Sequence, residues 1–155
     1  MSSTRSLEVY TDGSYRRRRA RYCFLVLDND QRLYVEAGNA APWRDGFPGR
    51  VRSNDCEVFA ALRALDWLRL NRPTVPVTLV TDSQSISELM TTKPSDPYLL
   101  FLRSRLVSQT IAVRKTQAHH CCVHNKEVDR LAKSAAYISE YCGGPQVLPT
   151  ARSSP

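Results

Sequence analysis

Leu7-Glu-Val-Tyr-Thr-Asp-Gly-Ser14 and Val77-Thr-Leu-Val-Thr-Asp-Ser-Gln84 are built alike. Each is an apolar run that ends in Thr-Asp and then small polar residues. Such a run reads as a buried strand that carries its Asp to the strand's carboxyl end. Leu7–Thr11 and Val77–Thr81 are therefore expected to be strands, with Asp12 and Asp82 just beyond them. Working outward, Tyr22–Leu27 is a near-continuous apolar run, Asp28-Asn-Asp30 is turn chemistry, and Arg32–Ala37 alternates. Together with Leu7–Thr11 these predict an antiparallel meander. Gly38–Ser53, with Gly38, Pro42, Gly46, Pro48 and Gly49, reads as loop.

Helical periodicity takes over at Asn54–Leu70, where Glu57, Ala61, Ala64 and Leu68 share one face. Ser83 suits the cap of a short helix over Gln84–Met90. Tyr98–Val107 reads as a helix and Ile111–Thr116 as a fifth strand. A last helix is expected over Asn125–Cys142, ended by Gly143-Gly144. The order βββαβααβα predicts an α/β fold, a mixed five-stranded sheet flanked by helices. A right-handed crossover lays the fourth strand parallel to the first, so that Asp12 and Asp82 leave the sheet at one edge. Residues 1–6 are expected to be a disordered lead, 7–142 one catalytic domain, and 143–155 a flexible tail. Val9, Phe24, Val26, Leu62, Leu65, Leu79, Leu106, Leu131, Ala135 and Trp67 are expected in the core.

The chain has 155 residues and a formal net charge of +7. That balance favours a polyanionic partner, most simply nucleic acid. No apolar run approaches the roughly 20 residues that span a bilayer, so no membrane association is expected. The Met-Ser-Ser-Thr-Arg-Ser start has no apolar signal segment, and the five cysteines form no disulfide framework. An intracellular, reduced protein is expected, and a monomer.

In this basic chain four acids stand out. Asp12 and Asp82 follow strands, and Glu57 and Asp129 open amphipathic stretches rich in Ala and Leu. Each alone is most simply a turn, cap or helix-dipole residue. Brought together they would repel unless a cation joined them. Carboxylates with water and a substrate phosphate suit Mg²⁺. Two such ions roughly 3.5–4 Å apart can orient a water and support a leaving oxygen in phosphodiester hydrolysis. Asp12, on the central strand, is the natural bridge.

The segment His119-His-Cys-Cys-Val-His124 invites a zinc reading. Adjacent Cys121 and Cys122 chelate poorly and no second cluster exists, so structural zinc is not expected. Arg16, Arg17, Arg18 and Arg19 lie at the expected tip between the first two strands, where guanidinium groups would grip a phosphate backbone.

Taken in order, Thr11-Asp12-Gly13-Ser14, Asn54-Asp-Cys-Glu57-Val-Phe-Ala60-Ala61-Leu62, Thr81-Asp82-Ser83-Gln84, and His119 with Asn125-Lys-Glu-Val-Asp129-Arg-Leu131-Ala132 resemble the type 1 ribonuclease H family. The resemblance covers roughly residues 7–142. It implies a metal-dependent endonuclease that cuts the RNA strand of RNA–DNA hybrids by a two-metal-ion mechanism. The acidic quartet falls on Asp12, Glu57, Asp82 and Asp129, holding Mg²⁺ with Mn²⁺ as a substitute. His119 matches a mobile-loop histidine, which would act as a general acid on the leaving oxygen or as a product-release group; by itself it is one polar loop residue among His119, His120 and His124. Gly13, Ser14, Asn54, Gln84 and Asn125 match positions that face the nucleic acid, and Arg52 and Ser53 are expected phosphate neighbours. The chain also departs from the family pattern. Tyr15–Arg21 replaces a glycine-rich segment, only Thr91–Pro97 stands where many bacterial members carry a basic protruding helix, and Cys121 and Lys126 replace the usual Gly and Glu. The same fold serves resolvases, exonucleases and the nuclease domains of reverse-transcribing elements. A catalytically dead hybrid-binding module would have lost a carboxylate, and here none is lost.

Overall fold

The computed structural model describes residues 6–41, 51–116, 123–134 and 137–141. The expected tail, nearly all of the expected lead, His119 and Ala135 lie outside the described residues.

Strands β1 (Leu7–Arg16), β2 (Arg19–Asp28) and β3 (Gln31–Asn39) form the meander. Helix α1 (Ser53–Asn71), strand β4 (Val77–Thr81), helices α2 (Gln84–Ser87) and α3 (Pro97–Ser108), strand β5 (Ala112–Lys115), helix α4 (Val123–Lys133) and strand β6 (Ile138–Tyr141) follow. The sheet has six strands in the order β5-β4-β1-β2-β3-β6. β1 runs parallel to β4, with Val9 beside Leu79, and antiparallel to β2.

The expected sheet of five strands is one short. Ile138–Tyr141, expected within the last helix, pairs antiparallel with β3. The helix stops at Lys133, and Ile138-Ser-Glu-Tyr141 alternates with a β-branched and an aromatic residue, which suits an extended chain better than a helix. Tyr34 Oη lies 2.7 Å from Ser139 Oγ and fastens this strand to its neighbour.

β1 is also longer than its apolar run. Asp12, Gly13 and Ser14 stay in the ladder because β2 supplies partners as far as Arg16, which pairs with Arg19. The turn shrinks to Arg17 and Arg18, with φ of 52° and 63°. Two central residues of positive φ match the twist of a tight hairpin, though without glycine each costs about 1–2 kcal/mol. β3 likewise extends through Gly38 to Asn39, residues expected to be loop.

The two faces of the sheet follow the two-residue period of β1. Leu7 and Val9 join Phe24, Val26 and Leu79 beneath α1 and α3. Tyr10 joins Leu25 and Val80 beneath Val128 and Leu131 of α4. Leu65, Leu79 and Leu106 are fully buried, each contributing about 1.5–3 kcal/mol. Trp67 stacks on Tyr34 at 4.7 Å between centroids, as a core aromatic. Among the described residues no helix is long and apolar enough to cross a membrane.

Candidate active site

Three elements converge on one point. Asp12 lies inside β1, Glu57 in the first turns of α1, and Asp82 directly after β4. A carboxylate oxygen from each lies within 4.8 Å of the other two. Gly13 makes this approach possible. A Cβ there would stand 2.3 Å from the Cys56 carbonyl carbon and 2.3 Å from the Glu57 nitrogen. The bare backbone lets the start of α1 rest on β1 and sets Glu57 beside Asp12. The Gly13 N–H also donates to Asp12 Oδ1 at 2.8 Å and orients that carboxylate.

Burial, and then clustering, raises the affinity of Asp12 and Glu57 for protons. The Asp12 carboxyl is pushed up to about 9 by burial, then by Asp82 and Glu57, with further help from hydrogen bonding to Asp129. Glu57 is pushed up to about 8 by burial and by Asp82. Glu57 Oε1 is buried and has no hydrogen-bond partner among the described residues. A buried carboxylate oxygen without a donor is costly unless a cation meets it. The set is all oxygen, which suits a hard divalent ion rather than zinc. These residues therefore fit a divalent metal.

Asp129 stands slightly apart. It reaches Asp12 from α4, yet its carboxylate is not in the close trio. Lys133, one turn on, donates to Asp129 Oδ2 at 3.1 Å. The trio thus meets in the described structure while the fourth acid is held in an ion pair at the rim. Lys133 belongs to no motif in the sequence, and only its i,i+4 spacing from Asp129 marks it.

The residues expected to face nucleic acid are spread around this point. Gly13 and Ser14 continue β1 past Asp12. Asn54 is half-buried, and its Oδ1 accepts from Ser83 Oγ at 3.2 Å and Ser85 Oγ at 2.8 Å. That pair of serines fixes the amide and leaves its NH₂ as a donor. Arg52 precedes α1 and bridges Asp55 and Asp96, with Ser53 exposed beside it. Gln84 bonds Lys115 and Glu88. Asn125 sits on α4 one turn before Asp129, its Oδ1 buried without a hydrogen-bond partner among the described residues. Arg16–Arg19 form the hairpin tip, all exposed. His124 belongs elsewhere, with Nε2 3.0 Å from Asp30 in the β2–β3 turn.

A family model described as RNase H matches residues 4–137. Among solved structures, RNase H1 from the archaeon Halobacterium salinarum superposes with a TM-score of 0.64 at 20% identity, over 84% of this chain and 96% of that one. The N-terminal RNase H domain of Rv2228c from Mycobacterium tuberculosis gives 0.64 at 22% identity, over 85% and 94%. LC11-RNase H1, isolated from compost and crystallised with an RNA/DNA hybrid, gives 0.63 at 19% identity, over 81% and 92%. At such identities the likeness is one of fold. No curated protein sequence matches the chain. The family match spans most of the chain, and with the mixed sheet and the acidic trio it decides the class: this chain belongs to the RNase H family and is a ribonuclease H, a nuclease of RNA–DNA hybrids.

Proposed function

We propose that the protein hydrolyses the RNA strand of RNA–DNA hybrids, cutting internally, with two Mg²⁺ ions held by Asp12, Glu57, Asp82 and Asp129. The observation that carries this reading is the meeting of Asp12, Glu57 and Asp82 within 4.8 Å, with one Glu57 oxygen buried and without a hydrogen-bond partner among the described residues. When bound, the ions would supply an activated water and charge stabilisation at the leaving oxygen, and Mn²⁺ would substitute. The chain's own part is positioning. Asp12 is oriented by the Gly13 N–H, and Glu57 is set by the close packing of α1 on β1. Asn54, fixed by Ser83 and Ser85, would present its NH₂ donors to the minor groove. Gly13, Ser14, Arg52, Ser53, Gln84 and Asn125 would line the path of the hybrid, and the Arg16–Arg19 tip would hold its backbone. His119 would return a proton to the leaving 3′-oxygen. The protein would work as an intracellular monomer.

The test compares a labelled RNA–DNA hybrid with double-stranded RNA, double-stranded DNA and DNA junctions, in Mg²⁺, Mn²⁺ or EDTA. Internal cleavage of RNA in the hybrid alone, lost in EDTA, is expected. Cleavage of junctions, or binding of the hybrid without cleavage, would overturn the reading. For His119, H119A should flatten one limb of the pH–rate profile, and an unchanged profile would remove it from the mechanism.

A further inference from the structure

The hairpin tip and the end of α4 line a concavity of about 280 Å³, which reaches Ser14, two residues along β1 from Asp12, and Lys133, the partner of Asp129. Its lining is Ser14, Arg16, Arg17, Arg19, Arg21 and Lys133, and none of these is acidic. From these residues we infer a dedicated site for one phosphodiester group of the nucleic-acid substrate, close to the one that is cut. This rests on the nuclease reading above and names the part of the chain that holds a neighbouring phosphate.

The register of the hairpin builds the pocket. Ser14 pairs with Arg21, and Arg16 with Arg19, so two rungs of one ladder project cations around a common space. Arg21 is only 4% exposed and forms the floor, its Nη1 donating to Asn39 Oδ1 at 3.2 Å. Arg16 and Arg19 are exposed and form the walls. Lys133 closes the fourth side from the last turn of α4.

Five cations around one small space repel one another in the free protein. Arg21 shows this, its pKa lowered by burial and then by Arg19. A cluster of like charge around a buried guanidinium is stabilised by an anion that answers them together. The space accommodates a phosphate group with ordered water. Two further contacts tie it to catalysis. Ser14 lies two residues from Asp12 on the same strand face, about 6.6–6.8 Å away by strand rise. Lys133 shares its ammonium with Asp129 at 3.1 Å. A phosphate seated here would compete with Asp129 for Lys133 and free that carboxylate toward Asp12.

The convergence of several cations on one phosphate sets this pocket apart from a diffusely charged tip. Hybrid binding to the full chain is measured in EDTA across a range of salt. Each phosphate neutralised contributes a slope near −0.9 in log K against log salt. The paired variant R16Q/R19Q should reduce the slope by about 0.9, and adding K133Q should change it little more. A reduction of about 0.9 for each cation removed would indicate separate phosphates and overturn the single site. Hybrids carrying one uncharged methylphosphonate, walked along each strand, locate the group. The wild type should lose affinity most at one position, and R16Q/R19Q should not respond there. Equal losses in wild type and variant at every position would also overturn it. Melting temperatures near the wild type show that the variants fold. Cleavage of the same hybrid in Mg²⁺ separates the two readings: a wild type that neither binds nor cuts it overturns the nuclease reading, whereas one that cuts it with no position-specific loss overturns the pocket alone.

Discussion

A Cβ on Gly13 would stand 2.3 Å from the backbone nitrogen of Glu57. No side chain fits between β1 and the start of α1, so the distance between two acidic groups is set by the lack of one methyl group. G13A should push α1 outward, lowering stability by about 1–3 kcal/mol. Hydrolysis should fall more than stability, because Glu57 moves with the helix. Chemical denaturation and hybrid cleavage below the melting range check this. A variant with wild-type stability and rate would refute the close-approach argument.

D12N keeps the shape of the side chain and removes its charge. Cleavage should drop by at least about 10²–10³-fold while hybrid binding in EDTA stays close to the wild type. The fold should be retained, since the neutral amide has the shape of the protonated carboxyl that Asp12 carries in the metal-free protein below about pH 9. A variant that cuts at the wild-type rate would remove Asp12 from the site.

In the metal-free protein the Asp12 carboxyl is held up to about 9 and Glu57 up to about 8, chiefly by burial and then by Asp82. In the unfolded chain both release their protons near pH 4. Between these limits the folded state holds protons that the unfolded chain has lost, so stability falls as pH rises. The contribution is complete below about pH 4 and is lost as pH passes through about 8 to 9. Melting temperature in EDTA should therefore decline from pH 5 to pH 9. Saturating Mg²⁺ should shrink or reverse the decline by answering the ionised acids. A metal-free melting temperature that is level or rises over this range would contradict the clustering.

Glu36 is 3% exposed and receives Arg63 Nε at 2.9 Å, Arg63 Nη2 at 2.7 Å and Tyr34 Oη at 2.8 Å, as well as the Tyr22 hydroxyl. R63A would strand this carboxylate. Breaking a wholly buried pair costs about 3–5 kcal/mol, and the partial exposure of Arg63 lowers the expectation to about 2–3 kcal/mol. Urea unfolding monitored by tryptophan fluorescence would read it. A loss under 0.5 kcal/mol, the size of an ordinary surface change, would show the bond to be idle.

Arg17 and Arg18 occupy a turn that favours Asn-Gly. R17N/R18G should raise stability by about 1–2 kcal/mol and weaken hybrid binding at low salt. Stability gained without loss of binding would mean that the two guanidinium groups do not touch the substrate.

The sequence made the architecture readable where hydrophobic period and turn chemistry agreed. The apolar runs ending at Thr11 and Thr81 announced two strands, and Ser83 announced its cap, which accepts from the Ile86 N–H at 3.2 Å. Ladder lengths were less legible. Nothing in the polar stretch Asp12–Arg16 shows that β2 continues to pair with it, because pairing depends on the partner strand. Ile138–Tyr141 was hidden for the same reason, being four residues whose extended state is settled by β3. The trio followed from strand ends and one helix start. The offset of Asp129 depends on its side-chain pairing with Lys133, which an order of elements does not contain. The phosphate pocket was half visible, since Arg16–Arg19 drew attention but Arg21 and Lys133 join them only through hairpin register and the run of α4.

The sixth strand also bears on how copies of the protein coexist. β3 spans nine residues, including Tyr34, Val35 and Ala37, and would present an open ladder if it lay outermost. With β6 beside it, both outer strands are only four residues long. β5, on the opposite side, carries Arg114 and Lys115, both exposed. Short, charged margins resist edge-to-edge growth. Chains cut before residue 138 should therefore become prone to self-association even with Asp12, Glu57, Asp82 and Asp129 in place.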